Sequence, residues 1–164
     1  ARVRATMSNP PNVKEMDMAQ VRQAQAHWSG DLLAGGGRVT AATSKIFSDQ
    51  AITWRARTES SEGKTSPEEL LAAAHASCYA MAVSHELAQA GHAPDRVDVN
   101  VEVRADKTDS GWTVLASHIT LRAVVPGIDA ATFAEKAEAA KGGCPISKAL
   151  SGSVEISLDA ALEG

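Results

Sequence analysis

The 164-residue chain has only two cysteines, Cys78 and Cys144. So few exclude a disulfide framework as the source of its stability. No CxxC or HxxxH pair marks a zinc site. No apolar run is long enough to span a bilayer. The first residues lack the basic, apolar and small-residue order of a secretory signal, so the expected location is cytoplasmic. Basic charge is not in excess: 16 Lys and Arg stand against 20 Asp and Glu, a net charge of −4. The basic residues are scattered, which argues against nucleic acid or an anionic membrane as a partner. No internal repeat is visible. What remains, 44% hydrophobic and 22% charged residues, is an ordinary globular mix of single-domain length. In a cytosolic chain the two cysteines are not expected to form a permanent structural disulfide; inert, metal-bound and redox-active thiols all remain open.

The chain is organised around one stretch, SPEELLAAAHASCYAMAVSHELAQAG, from Ser66 to Gly91. It reads as a long helix with Cys78 in the middle. Ser66 is the N-cap, Pro67 takes the first helical position, and Glu69 completes a capping box. Gly91 ends the helix and Pro94 prevents its restart. Leu70, Leu71, Ala76, Tyr79, Ala80, Met81 and Val83 cover nearly every direction around the axis, and a helix apolar all round is a buried helix. Cys78 is therefore expected inside the protein or at the floor of a pocket. Roughly six strands forming one sheet cover one side of such a helix. A partner subunit is expected to cover the other, which predicts a homodimer.

Along the chain, residues 1–20 are polar, contain Pro10 and Pro11, and read as a loose arm, with Met7 a candidate natural start. Residues 21–164 read as a single domain. Strands are expected over Val21–Trp28, Arg38–Thr43 and Ala51–Arg57. The last would place Arg55 and Arg57 on one strand face. A hairpin is expected from the alternating Val97–Ala105 through the turn at Asp109, Ser110 and Gly111 to Trp112–Val125. A helix over Ala130–Lys141, a new helical turn at Pro145 and a strand over Ser153–Leu162 complete the order. Runs of antiparallel strands separated by single helices indicate an α+β fold.

A cysteine reacts as its thiolate, and lowering a thiol from about 8.5 to about 6 requires roughly 3.4 kcal/mol. Cys78 lies too far along its helix for the dipole to supply this. A guanidinium about 4 Å away in a sheltered site supplies roughly 4 kcal/mol. Arg57 and Arg55 are the candidates, and Glu68 at the helix start can hold one of them in a bidentate pair. Cys144 sits beside a helix start, where thiolates are favoured, so on chemistry alone it is an alternative nucleophile. His75, three residues before Cys78, reads first as a satisfied pocket histidine and second as a zinc ligand with Cys144.

The segments TSPEELLAAAHASCYAMAVSHEL, VPGIDAATFAEKAEAAKGGCPISKAL and QAHWSGD resemble the OsmC/Ohr family, the osmotically inducible and organic-hydroperoxide-resistance proteins. The similarity runs from about Ala24 to Leu162, and AAHASC and VPGID point to the OsmC branch. The resemblance implies an OsmC-like fold: an intertwined homodimer whose long cysteine helices are wrapped by antiparallel sheets. It implies a thiol-dependent peroxidase that reduces organic hydroperoxides with a dithiol reductant and needs neither cofactor nor metal. Residue by residue, Cys78 matches the peroxidatic cysteine, Cys144 the resolving cysteine, and Glu68 the glutamate that anchors the catalytic arginine. Arg57 is the best match to that arginine. One extra residue between it and Glu68 keeps Arg55 as a second candidate. A redox-sensing or ligand-binding protein with a switchable disulfide and slow turnover is the alternative function.

Overall fold

The computed structural model describes residues 19–163, so the expected arm lies almost wholly outside the described residues. These residues divide into two units, the first ending at Ile52 and the second beginning at Thr53.

The first unit holds β1 (Gln25–Ser29), β2 (Gly36–Thr40) and β3 (Gln50–Ile52) in one antiparallel sheet of order β1-β2-β3. Gly37 on β2 is required sterically. A Cβ there would sit 2.6 Å from the His27 carbonyl oxygen and 2.7 Å from the Trp28 ring. β1 is exposed along its whole length. Leu33 and Ile46 also stand in solvent.

The second unit carries α1 (Trp54–Thr58), α2 (Pro67–Gln89), β4 (Arg96–Thr108), β5 (Gly111–Val124), α3 (Ala130–Gly143), α4 (Pro145–Leu150) and β6 (Glu155–Leu162). α2 begins where expected: the Ser66 hydroxyl accepts from the Glu69 N–H. The reciprocal half of the capping box is replaced, because the Glu69 carboxylate accepts from the Thr65 hydroxyl instead. At the other end Gly91 takes a left-handed φ of 85°, and the Gly91 and His92 N–H groups return to the Ala88 and Leu87 carbonyls. This is the Schellman arrangement that a glycine past the last turn permits.

Four differences from expectation matter. The six strands form two sheets of three rather than one. β6 pairs with β5 in parallel, because the chain returns to the start of β5 through α3 and α4 rather than through a tight turn. The stretch around Arg55 is not a strand. Thr53 accepts a hydrogen bond from the Ala56 N–H and starts the short helix α1, and two residues on a helix point about 200° apart. The central helix is not buried all round within one chain. Only His75, Tyr79, Val83 and Leu87, spaced by four, are fully covered, while Met81 is 68% exposed.

Tyr79, Val83 and Leu87 of that ladder form one core with Ile119, Leu121 and Ala123 of β5 and with Phe133, Ala137 and Ala140 of α3. Val97, Val99 and Val101 pair directly across the hairpin with Ala123, Leu121 and Ile119, so this part of one sheet face is apolar. Each fully buried Leu, Ile or Val side chain contributes about 1.5–3 kcal/mol. The Tyr79 hydroxyl donates to the Ala137 carbonyl at 2.9 Å, tying α2 to α3. This cross-link fixes the turn of α2 that carries Cys78 against the end of α3 that carries Cys144.

Candidate active site

α1 and the first turn of α2 build an arginine clamp. Arg57 Nε donates to both oxygens of Glu68, at 2.9 and 3.1 Å, and its Nη2 donates to Oε1 at 2.6 Å. The pair is partly sheltered, with side-chain exposures of 27% for Arg57 and 12% for Glu68. The guanidinium carbon lies 5.6 Å from the ring centres of both Trp54 and Trp112, which pack edge to face. Two electron-rich faces hold the cation by cation–π attraction. The Trp112 indole N–H also donates to Glu68 Oε1 at 3.3 Å. Burial pushes the Glu68 carboxyl up, but hydrogen bonding from Arg57, the backbone and Trp112 outweighs it and leaves the pKa lowered. Arg55 faces elsewhere, pairing with exposed Glu59 and Glu62.

The two thiols form the second cluster. Cys144 is fully buried at the junction of α3 and α4, and Cys78 is half-buried. The two thiols lie close enough for each to act on the other's ionisation. Burial pushes Cys78 up and Cys144 adds to this, with the Ile146 N–H opposing; the net shift is upward. Cys144 moves the other way. Burial raises it, yet the Ser147 N–H, the Cys78 thiol, the Ser147 hydroxyl and the Ile146 N–H together leave it lowered. Within one chain the two thiols are thus shifted in opposite directions.

Cys78 lines a cavity of about 350 Å³ with Met81, Ala82, His85, Glu86, Gly143 and Pro145. The wall is mostly apolar with one polar end, suited to an alkyl chain carrying a polar head. His75 is wholly enclosed and bridges two hydroxyls, Ser117 Oγ at 2.7 Å and Ser147 Oγ at 2.8 Å. Both ring nitrogens are thereby occupied, which is the satisfied-histidine reading rather than the ligand one.

Residues 59–159 match the family model described as OsmC-like protein. The chain belongs to the OsmC family. It is 41% identical over 138 residues to Peroxiredoxin OsmC of Escherichia coli, covering 84% of this chain and 94% of that protein. It is 30% identical over 131 residues to organic hydroperoxide resistance protein OhrA of Bacillus subtilis, covering 76% and 87%. The crystal structure of OhrB of Bacillus subtilis superimposes with a TM-score of 0.64 at 26% identity, covering 85% of this chain and 98% of that one. The higher identity to the OsmC relative agrees with the branch read from AAHASC and VPGID.

The structure of this OsmC family member thus brings Arg57 to Glu68 and Cys78 to Cys144, as two separate pairs. Three contributors were not legible as site residues: Trp54, Trp112 and the Ser117–His75–Ser147 bridge. Of these, the sequence analysis singled out His75 as a pocket histidine without its serine partners, and Trp54 stands three residues before Arg57.

Proposed function

We propose that this protein is a thiol-dependent peroxidase that reduces organic hydroperoxides to alcohols. Two facing thiols, one lining a mostly apolar cavity, carry the reading. The Cys78 thiolate attacks the distal peroxide oxygen. The S–O bond forms as the O–O bond breaks, and the alkoxide takes a proton and leaves as alcohol. Cys144 then displaces hydroxide from the Cys78 sulfenic acid, forming the disulfide and water. An external dithiol reduces the disulfide and restores both thiols.

Cys78 needs a cation to be the first nucleophile, and geometry suggests where it comes from. At about 1.5 Å rise per residue, Cys78 lies about 15 Å along α2 from Glu68. Arg57, held on Glu68, is therefore remote from the sulfur of its own helix. A second copy with α2 antiparallel about a two-fold axis at Ala73 sets position 68 of one helix opposite position 78 of the other, since 73 − 68 equals 78 − 73. Ala73, Ala76, Ser77 and Ala80 line an open groove of about 550 Å³ floored by Val97 and Val99. Their small side chains permit close helix approach. Met81, 68% exposed on α2, supplies further apolar surface for such a partner. The active unit is therefore a homodimer in which Arg57 of the partner subunit stabilises the Cys78 thiolate and orients the peroxide.

Residues 21–164 act as one OsmC-like domain, supported by a relative matched over 94% of its length. The cytoplasm, where dithiol reductants keep such cysteines cycling, is the fitting location; no helix among the described residues is long and apolar enough to cross a membrane. The test is consumption of an alkyl hydroperoxide with a dithiol present. Cys78→Ser is expected to be inactive, and Cys144→Ser to oxidise once and accumulate sulfenic acid. Full turnover by Cys78→Ser overturns the assignment.

A further inference from the structure

Among the described residues, His75 and Tyr79 are the fully buried titratable groups that the reaction above does not use, and the Tyr79 hydroxyl is taken up by the Ala137 carbonyl. The His75 ring sits between Ser117 of β5 and Ser147 of α4, three residues before Cys78 on α2. Burial favours the neutral imidazole, and the neutral ring carries a single N–H and offers a single acceptor nitrogen. Two arrangements of protons fit the two short contacts. In the first, the Ser117 hydroxyl donates to Nδ1 and Nε2–H donates to Ser147 Oγ. In the second, both bonds run the other way.

The buried hydroxyl protons decide between them. Among the described residues, Ser117 Oγ has no side-chain or backbone partner other than His75. Reversing the bonds would leave the Ser117 proton without an acceptor inside the core, at a cost of about 1–3 kcal/mol. In the first arrangement every proton is placed. Ser117 gives its proton to Nδ1, His75 gives its own to Ser147, and the Ser147 proton is left over. Cys144 caps α4 and Ser147 stands three positions on in its first turn, both buried, so the acceptor within reach of that proton is the Cys144 sulfur.

We infer that His75, held as its Nε2–H tautomer by Ser117, is a positioning residue that turns the Ser147 hydroxyl onto Cys144 and readies this thiol to close the disulfide. The inference takes the identity of that step from the peroxidase reading. In the step, the Cys144 sulfur attacks the Cys78 sulfur and the S–S bond forms. The S–O bond breaks, and the departing hydroxide takes the proton that Cys144 gave up. A hydroxyl donating to Cys144 stabilises the attacking anion, and later the same anion as a leaving group when the disulfide is reduced. The other polar groups around Cys144 are the Cys78 thiol of α2 and the Ile146 and Ser147 N–H groups of α4. Tyr79 belongs to the same buried cluster, its hydroxyl taken by the Ala137 carbonyl. None of these depends on the histidine.

Ser117 gives the sharpest test because it is linked to Cys144 only through the ring. After one equivalent of an alkyl hydroperoxide, decay of the Cys78 sulfenic acid is followed with a trapping probe. Ser117→Ala is expected to slow disulfide closure about tenfold at pH 7, the order of a lost hydrogen bond to a charged group. Oxidation of Cys78 is expected at the wild-type rate, which also reports an intact fold. Ser117→Thr, which keeps the hydroxyl, is expected to restore closure. Closure at the wild-type rate in Ser117→Ala overturns the inference. A second measurement does not need the peroxidase reading. In a Cys78→Ser background, thiolate absorbance titrates Cys144 alone, and adding Ser117→Ala is expected to raise the midpoint by about one pH unit. Unchanged midpoints overturn the inference, whereas failure of Cys78 to form sulfenic acid counts against the peroxidase reading.

Discussion

Arg57 and Glu68 are joined through three N–H···O contacts, and the pair lies at the foot of the helix that carries Cys78 rather than beside the sulfur. On the proposed dimer the clamp prepares a guanidinium for the thiol of the partner subunit. Its bidentate form matters, since only a planar fork meets both carboxylate oxygens at once. Arg57→Lys keeps the charge and loses the fork. It is expected to lower the second-order rate of Cys78 with an alkyl hydroperoxide about a hundredfold, comparable to losing one preorganised donor at a charged reaction centre. Stopped-flow oxidation kinetics read this directly, and a rate within twofold of wild type would remove Arg57 from the mechanism.

The same clamp makes stability depend on acid. Burial raises the Glu68 pKa, but hydrogen bonding from Arg57 and its neighbours lowers it further, so the folded value lies below the ordinary 4.5. The unfolded chain therefore binds this proton more readily than the folded one. The stabilisation is complete above about pH 4.5 and is lost as the pH falls through the folded value. Wild-type urea midpoints are expected to fall more steeply between about pH 5 and pH 3 than those of Glu68→Gln, whose side chain does not titrate. Parallel curves for the two proteins would show that Glu68 carries no such linkage.

Trp112 plays two separable parts. Its ring faces the guanidinium, and its indole N–H donates to the carboxylate. Trp112→Phe keeps an aromatic face and deletes the donor, at an expected cost of about 0.5–1.5 kcal/mol. Trp112→Ala also removes the cation–π contact and the edge-to-face pair with Trp54, and is expected to cost at least about 1 kcal/mol more. Chemical denaturation of the three proteins gives both differences. Equal midpoints for the Phe and Ala variants would mean that the ring does not hold the arginine.

What could be read from the residues was local. Ser66, Pro67 and Gly91 bracket α2, Asp129 caps α3, and the Val97–Val103 alternation opens the hairpin, because caps, turns and period-two burial are short-range signals. The Arg57–Glu68 pair was also within reach, as an acid at a helix start below an arginine. What failed was set by distant contacts. Ile52, Trp54 and Ala56 alternate like a strand, yet one Thr53 hydroxyl at an N-cap turns the chain into α1. The parallel pairing of β6 depends on how α3 and α4 cross over. The Ser117–His75–Ser147 bridge joins residues 42 and 72 positions from the histidine, which no periodicity connects. Cys144 as the lower-pKa thiol follows from groups gathered at one helix junction, which the bare motif GGCPIS only hints at.

The separation of clamp and sulfur along α2 leads to a decisive prediction about mixed dimers. If each site combines Cys78 of one subunit with Arg57 of the other, Cys78→Ser and Arg57→Ala homodimers both lack complete sites. A mixed dimer has one complete site, formed by Cys78 of the Arg57→Ala subunit and Arg57 of the Cys78→Ser subunit. Random pairing makes half the dimers mixed, so about one site in four is complete in an equal mixture of the two variants. Co-expression, or unfolding and refolding of the mixture, is expected to recover about a quarter of wild-type hydroperoxide turnover from two inactive proteins. A site built within one chain yields no recovery, because each variant then carries its own defect into every dimer. A cysteine introduced by Ala73→Cys into Cys78→Ser/Cys144→Ser protein checks the geometry separately. Position 73 lies on the proposed two-fold axis, so mild oxidation is expected to join the two subunits at that residue, whereas Gln89→Cys at the far end of α2 is expected to leave them unlinked.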